Sequence, residues 1–251
     1  MSRVKVALVT GSGKRRVGNA VALALADRGY SVAVHYCTSA DEASRTVEQI
    51  ERRGVAALAV QADLASDANV NRMFQQVADH FGRIDVLVNA AAIWEAKPLE
   101  QVTAADVRRH FEVNALGTFL CSQRAGLLMV AQPEGGSIIT IGDWAIERPY
   151  QDYSAYFPSK GAIPAMTRSL AVELGLRNPN VRVNCILPGP VMLPPDMPEV
   201  ERELVINSTL VKHEGRPEDI AHAVLFLTEN TFVTGVCLPV DGGRTIYAGG
   251  G

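Results

Sequence analysis
The chain has 251 residues, of which 47% are hydrophobic and 20% charged, with a formal net charge of −3. That composition fits one soluble globular domain and lacks the basic footprint of a nucleic-acid-binding protein. No apolar run approaches the ~20 residues that span a bilayer, so no membrane partner is expected.

"MSRVKVALVTG" enters a strand pattern directly, so the expectation is a cytoplasmic protein without a signal or transit peptide. Seven strand-like runs come in order at 4–10, 31–36, 55–61, 84–90, 136–141, 181–187 and 235–240. Between them lie patterns such as "VGNAVALALADRG" and "DANVNRMFQQVADHFG", with apolar residues at helical spacing. Gly29, Gly54 and Gly82 stand where helices end. Strands joined by helical crossovers predict an α/β fold: a single-domain, Rossmann-type, doubly wound parallel sheet with helices on both faces, over residues 1–251. Segment 188–200, "PGPVMLPPDMPEV", holds five prolines in thirteen residues and cannot be regular structure. The stretch at about 188–215, which begins with this segment, is expected to cover a substrate. Cys37, Cys121, Cys185 and Cys237 lie far apart in sequence and read as buried, reduced thiols. The five histidines show no metal-ligand spacing, so no metal is expected.

The turn after the first strand is "TGSGKRRVG". Gly11, Gly13 and Gly18 suit a loop that brings backbone N–H groups and a helix N-terminus to a phosphate. Lys14, Arg15 and Arg16 suggest extra negative charge on that ligand. An NAD-preferring site would place an acid at the tip of the second strand to hold the ribose 2′-hydroxyl. The tip here is His35-Tyr36-Cys37-Thr38-Ser39, and the first acids, Asp41 and Glu42, come later. A 2′-phosphate fits better, so the expected cofactor is NADP(H). Asp63 is placed to accept from an adenine amino group or to serve as a turn acid, and "NAAA" at 89–92 lets the chain pass close to an adenosine.

Further on, Tyr156 and Lys160 share one helix face at i,i+4. An ammonium beside a phenol is expected to lower the phenol's pKa, which suits acid–base work near neutrality. Thirteen residues before the tyrosine stands Asp143.

On "TGSGKRRVG", Asp63, "NAAA", Asn114 in "FEVNALGTF", Tyr156, Lys160 and "PGPV" at 188–191, the chain resembles the short-chain dehydrogenase/reductase family over nearly its whole length. The resemblance implies hydride transfer from a nicotinamide and a homotetramer. It makes Tyr156 the proton donor, has Lys160 also hold the nicotinamide ribose, and has Asn114 order a water beside the lysine. It adds Val17, Leu64, Asn89, Ala90, Ala91, Ile141, Pro188, Gly189 and Val191 to the cofactor contacts. Within the family the chain looks most like the pteridine reductase branch, where an aspartate replaces the catalytic serine. "HYCTSADEA", "ERP" after Asp143 and "FVTGVCLPVDGGRTIY" are similar too. That branch implies a substrate stacked on Trp94 and protonated by Asp143 together with Tyr156; the other reading of Asp143 is an ionised group that orients Tyr156 or a water.

The sequence departs from the family in a longer glycine loop, in Ala92 where that branch has serine, and in Pro158 and Pro164 inside the catalytic helix. Pro164 is expected to remove a hydrogen bond and kink that helix. Three functions are in view: an NADPH-dependent reductase of a small pterin-like substrate, a carbonyl reductase acting on substrates such as 3-oxoacyl thioesters, and a nucleotide sensor without catalysis. Intact Tyr156, Lys160 and Asn114 argue against the last.

Overall fold
Seven parallel strands form one sheet in the computed structural model, which describes residues 4–247. In chain order the elements are β1 (Val6–Thr10), α1 (Val17–Asp27), β2 (Ser31–Tyr36), α2 (Ala40–Glu51), β3 (Ala57–Gln61), α3 (Asp67–Phe81) and β4 (Val86–Asn89). Next come α4 (Ala104–His110), α5 (Gly117–Val130), β5 (Gly136–Ile141), α6 (Tyr156–Gly175), β6 (Val181–Pro188), α7 (Glu199–Asn207), α8 (Pro217–Glu229) and β7 (Cys237–Val240). The strand order is β3-β2-β1-β4-β5-β6-β7. The order reverses between β1 and β4, and the crevice beyond their C-terminal ends is where doubly wound sheets bind ligands.

Alternation along each strand builds two cores. Leu8, Ala33, Leu87, Ile138 and Val183 meet α3, α5 and α6 through Met73, Leu120 and Leu174. Val9, Val34, Val88, Ile139 and Ile186 meet α1, α2 and α8 through Val21, Ile50 and Val224. Burial on both faces explains why the strands read as apolar runs rather than as alternating ones.

Several strands start later than the sequence suggests. Asp85 accepts the Val6 N–H at 2.8 Å and pairs with Arg83, so charged groups close the lower ends of β1 and β4. Gly29, Gly54 and Gly82 all have positive φ, as the helix-end reading requires.

Residues 189–198 are largely irregular and lead into α7. Val191 bridges to Gly215, while Glu214 accepts from the Leu193 N–H and the Arg202 guanidinium, both at 2.7 Å. The first half of the proline-rich segment is thus tied down through Val191, Leu193 and Pro194, whose carbonyl accepts from Arg202. Cys185 and Cys237, far apart in sequence, are register partners on β6 and β7, and Cys37 is exposed rather than buried. Among the described residues no helix is long and apolar enough to cross a membrane, and no cluster of His, Cys, Asp or Glu could hold a metal.

Candidate active site
The loops after β1 and β4 meet at the switch point. Thr10 Oγ1 accepts the N–H groups of Ala90 and Ala91 at 3.0 and 3.1 Å. A Cβ on Gly11 would stand 2.8 Å from Ala91 Cα, and one on Gly18 would stand 2.7 Å from the Gly11 carbonyl oxygen. Any larger residue would push these segments apart, so both glycines are fixed by close approach.

His35 lies under this loop, and here the structure corrects the sequence reading. Its ring is buried, Nδ1 accepts the Gly11 N–H at 3.0 Å, and Nε2 meets the Ala62 carbonyl at 3.0 Å. The ring is therefore neutral with its proton on Nε2, and burial lowers its pKa to about 4. The His35 carbonyl accepts the N–H groups of Ser12 and Gly13. His35 is a strut rather than a cofactor contact, and it occupies three N–H groups of the glycine loop. The donors left for a phosphate belong to Val17, Gly18 and Asn19 at the N-terminus of α1, where no side chain caps the helix. A dinucleotide fits this cradle.

Lys14, Arg15 and Arg16 are exposed beside it. Tyr36 and Ser39 pack against Gly13, with Thr38 exposed beside them. A cavity of about 540 Å³ adjoins them, lined by Tyr36, Cys37, Asp63, Asn69 and Arg72 among others. Asp63 Oδ1 accepts the Ala65 N–H at 3.0 Å, a turn role that leaves its other oxygen available. Asn69 and Arg72, which the sequence reading did not single out, line the cavity as an i,i+3 pair on α3 in which Arg72 donates to Asn69 Oδ1. Leu64 is buried against Gly117, so its side chain packs the scaffold. Asn89 donates to Ser122 Oγ at 3.0 Å, and its buried Oδ1 has no partner. At the far end, Gly189 donates to the Val240 carbonyl, and Pro188 pairs with Val240 in register.

Asp143, Tyr156 and Lys160 converge at the C-terminal end of β5. Tyr156 Oη donates to Asp143 Oδ2 at 2.8 Å, and Asp143 Oδ1 accepts the Ala145 N–H at 2.8 Å. Burial raises the Asp143 pKa against the opposing pull of the Ala145 N–H, the Tyr156 hydroxyl and Lys160. Burial and then the Asp143 charge push the Tyr156 pKa well above its ordinary value. The expected lowering by Lys160 is overturned: Lys160 Nζ donates to the Ile141 carbonyl at 2.8 Å, and the charge in direct contact with the phenol is Asp143. Ile141 thus positions the lysine. Burial in turn lowers the Lys160 pKa.

Asn114 lies in a π-helical turn, Phe111–Leu116. Its side chain accepts the Ile93 N–H at 2.9 Å and donates to the Ile93 carbonyl and Ser159 Oγ at 3.0 Å each. The amide is engaged in clamping the loop before Trp94 to α6, which differs from the water-ordering role the resemblance implied for it. Trp94 is half exposed and stacks on Tyr153 at 4.9 Å with an interplanar angle of 11°. Tyr153 meets Tyr150 edge-on at 5.1 Å, so an aromatic wall leads to Tyr156. One face of Trp94 is already covered. Helix α6 continues through Pro164, whose missing N–H leaves the Lys160 carbonyl without its helical donor.

Residues 12–245 match the family model described as Enoyl-(Acyl carrier protein) reductase. A (2S)-[(R)-hydroxy(phenyl)methyl]succinyl-CoA dehydrogenase subunit of Thauera aromatica is 36% identical, over 98% of each chain. A 3-oxoacyl-[acyl-carrier-protein] reductase of Synechocystis is 34% identical over 97% of this chain and 98% of the relative. Among solved structures, a blue fluorescent protein from a metagenomic library in complex with NADPH superposes with a TM-score of 0.87 at 37% identity, covering 96% of this chain and 97% of that one. With the sheet order, the glycine cradle and the Tyr156–Lys160 pair, these matches show that the chain belongs to the short-chain dehydrogenase/reductase family of nicotinamide-dependent oxidoreductases.

Proposed function
We propose that the protein is an NADP(H)-dependent reductase of a flat, polar, pterin-like heterocycle, with Asp143 and Tyr156 as its proton donors. The Tyr156–Asp143 hydrogen bond carries the reading, since it places a buried carboxyl of raised pKa at the substrate end of the site. The bound nicotinamide supplies a hydride. Reducing a ring C=N also takes one proton on nitrogen, and Asp143 in its acid form donates that proton from its carboxyl oxygen. Tyr156 holds its own proton at Oη and hands it toward Asp143, while Lys160, seated on the Ile141 carbonyl, would hold the ribose of the cofactor. Asn114 fixes the loop that carries Trp94, and the exposed face of the indole offers a stacking surface. The preference for a 2′-phosphate is supported by exposed Lys14, Arg15 and Arg16 and by the absence of an acid at the tip of β2. A charge-assisted contact there contributes about 1.5–3 kcal/mol; equal catalytic efficiency with NADH would remove this part of the reading. Exposed Phe111, Leu116, Phe119 and Leu127 support assembly into a homotetramer, checked by light scattering.

A second reading, reduction of a 3-oxoacyl thioester with Tyr156 as the acid, is favoured by the 3-oxoacyl reductases among the relatives. Asp143→Ser separates the two. Pterin reduction should fall and lose its rise toward mildly acidic pH, while simple carbonyl reduction is kept or gained. Equal losses on both substrates with an unmoved pH profile would remove the pterin reading.

A further inference from the structure
Near Tyr150 lies a guanidinium that has no ion pair among the described residues. Arg244, in the turn after β7, lies over the Trp144 ring at 4.5 Å, and Trp144 directly follows Asp143. Its hydrogen bond among the described residues runs from Nη1 to the Val205 carbonyl at 3.4 Å. Most of the five N–H donors of the group are therefore unassigned. Asp241 lies within electrostatic reach of Arg244 but makes no ion pair with it, its oxygens being turned to the turn backbone: Oδ1 accepts the Gly243 N–H at 2.9 Å, and Oδ2 takes the Thr245 N–H and hydroxyl at 2.6 Å each. Arg148 stands close enough to add to the burden, and its own Nη1 donates to the carbonyls of Arg244 and Tyr247. Neither arginine forms an ion pair among the described residues. A half-buried cation beside another cation is unfavourable until an anion joins them. Tyr150 lies within electrostatic reach of both Asp143 and Arg244. An anion at Arg244 could thus be the far end of a molecule whose near end meets Asp143 and Tyr156.

We propose that Arg244, seated on Trp144 and assisted by Arg148, binds a carboxylate of the substrate, so that the enzyme selects planar substrates with an acid group remote from the reacting bond. Stacking covers one guanidinium face and leaves the N–H edge for two parallel bonds to a planar acid. The substrate assignment rests on the reductase reading.

Calorimetry with pterin-6-carboxylate and with pterin, on the NADP⁺-loaded protein, measures the subsite apart from turnover. The acid should bind more tightly by about tenfold or more. That ratio should shrink as sodium chloride rises, approach unity in Arg244→Gln and survive in part in Arg244→Lys. Reduction of 4-acetylbenzoate against its methyl ester gives the same comparison on turnover. Equal binding of acid and neutral pterin by the parent, or an unchanged ratio in a folded Arg244→Gln, overturns the subsite. If Arg244→Gln does not fold, Arg148→Gln and the salt series decide, and a ratio insensitive to both also overturns it. Failure of every heterocycle and ketone to oxidise NADPH would instead count against the reductase reading, leaving the binding ratio to judge Arg244.

Discussion
Tyr156 donates to Asp143 across 2.8 Å, which makes the phenol and the carboxyl one protonation unit. Burial raises the Asp143 pKa, so the folded protein binds this proton more readily than the unfolded chain. The stability linked to it is present below the unfolded value and is lost as pH rises through the folded one. Asp143→Asn removes that dependence. Its melting temperature, compared with the parent's, should improve from about pH 4 to pH 7; thermal melts across that window check it, and a difference that stays constant would contradict the linkage.

Tyr156→Phe removes only the phenolic proton. Turnover should fall by ~10²–10⁴-fold while the dinucleotide still binds. Steady-state rates and a fluorescence titration with NADPH read the two halves separately.

His35 shifts in the opposite direction. Its pKa is lowered to about 4 by burial, so its contribution is complete above the unfolded value of 6.5 and is lost as pH falls toward 4. His35→Asn should lower stability at neutral pH by roughly 1–3 kcal/mol through the loss of its two ring hydrogen bonds and flatten the acid limb of the stability curve. It should also weaken NADPH binding, because Gly11 loses its anchor; unaltered affinity would mean that the loop holds itself.

Asn114→Ala breaks three hydrogen bonds that join Ile93 to Ser159. At about 1 kcal/mol each, a loss of roughly 2–3 kcal/mol in stability is expected, with kcat/KM falling more for aromatic than for small substrates because Trp94 shifts. Urea denaturation and paired substrate kinetics test both.

Trp94→Ala should weaken flat heterocycles more than small ketones, by the about 0.5–1.5 kcal/mol that stacking adds to burial. Equal losses would assign Trp94 to packing against Tyr153 alone.

The parallel sheet was legible because each strand is buried on both faces and each crossover helix carries its own period. Tyr156 and Lys160 were legible because four residues make one helical turn. What escaped the sequence depends on distant parts of the chain. His35 looks like a strand-tip ligand until Gly11, 24 residues away, takes its Nδ1. Lys160 looks like the neighbour that tunes Tyr156 until Ile141 captures its ammonium. Tyr153 carries no motif and matters because Trp94 lies on it, while Arg244 sits in a tail-like segment that only the fold returns to Trp144.

Pro164 gives the catalytic helix a mechanical seam. The turn bearing Tyr156 and Lys160 lacks one of the backbone ties that bind it to the next turn, the one at the Lys160 carbonyl. Contacts on its own side of the seam reinforce its position: Asp143, the Ile141 carbonyl and the Asn114–Ser159 bond. A substrate that displaces Asp143 thus meets less backbone resistance at the reacting phenol than at the rest of α6, whose inner face is fixed in the core by Leu170 and Leu174.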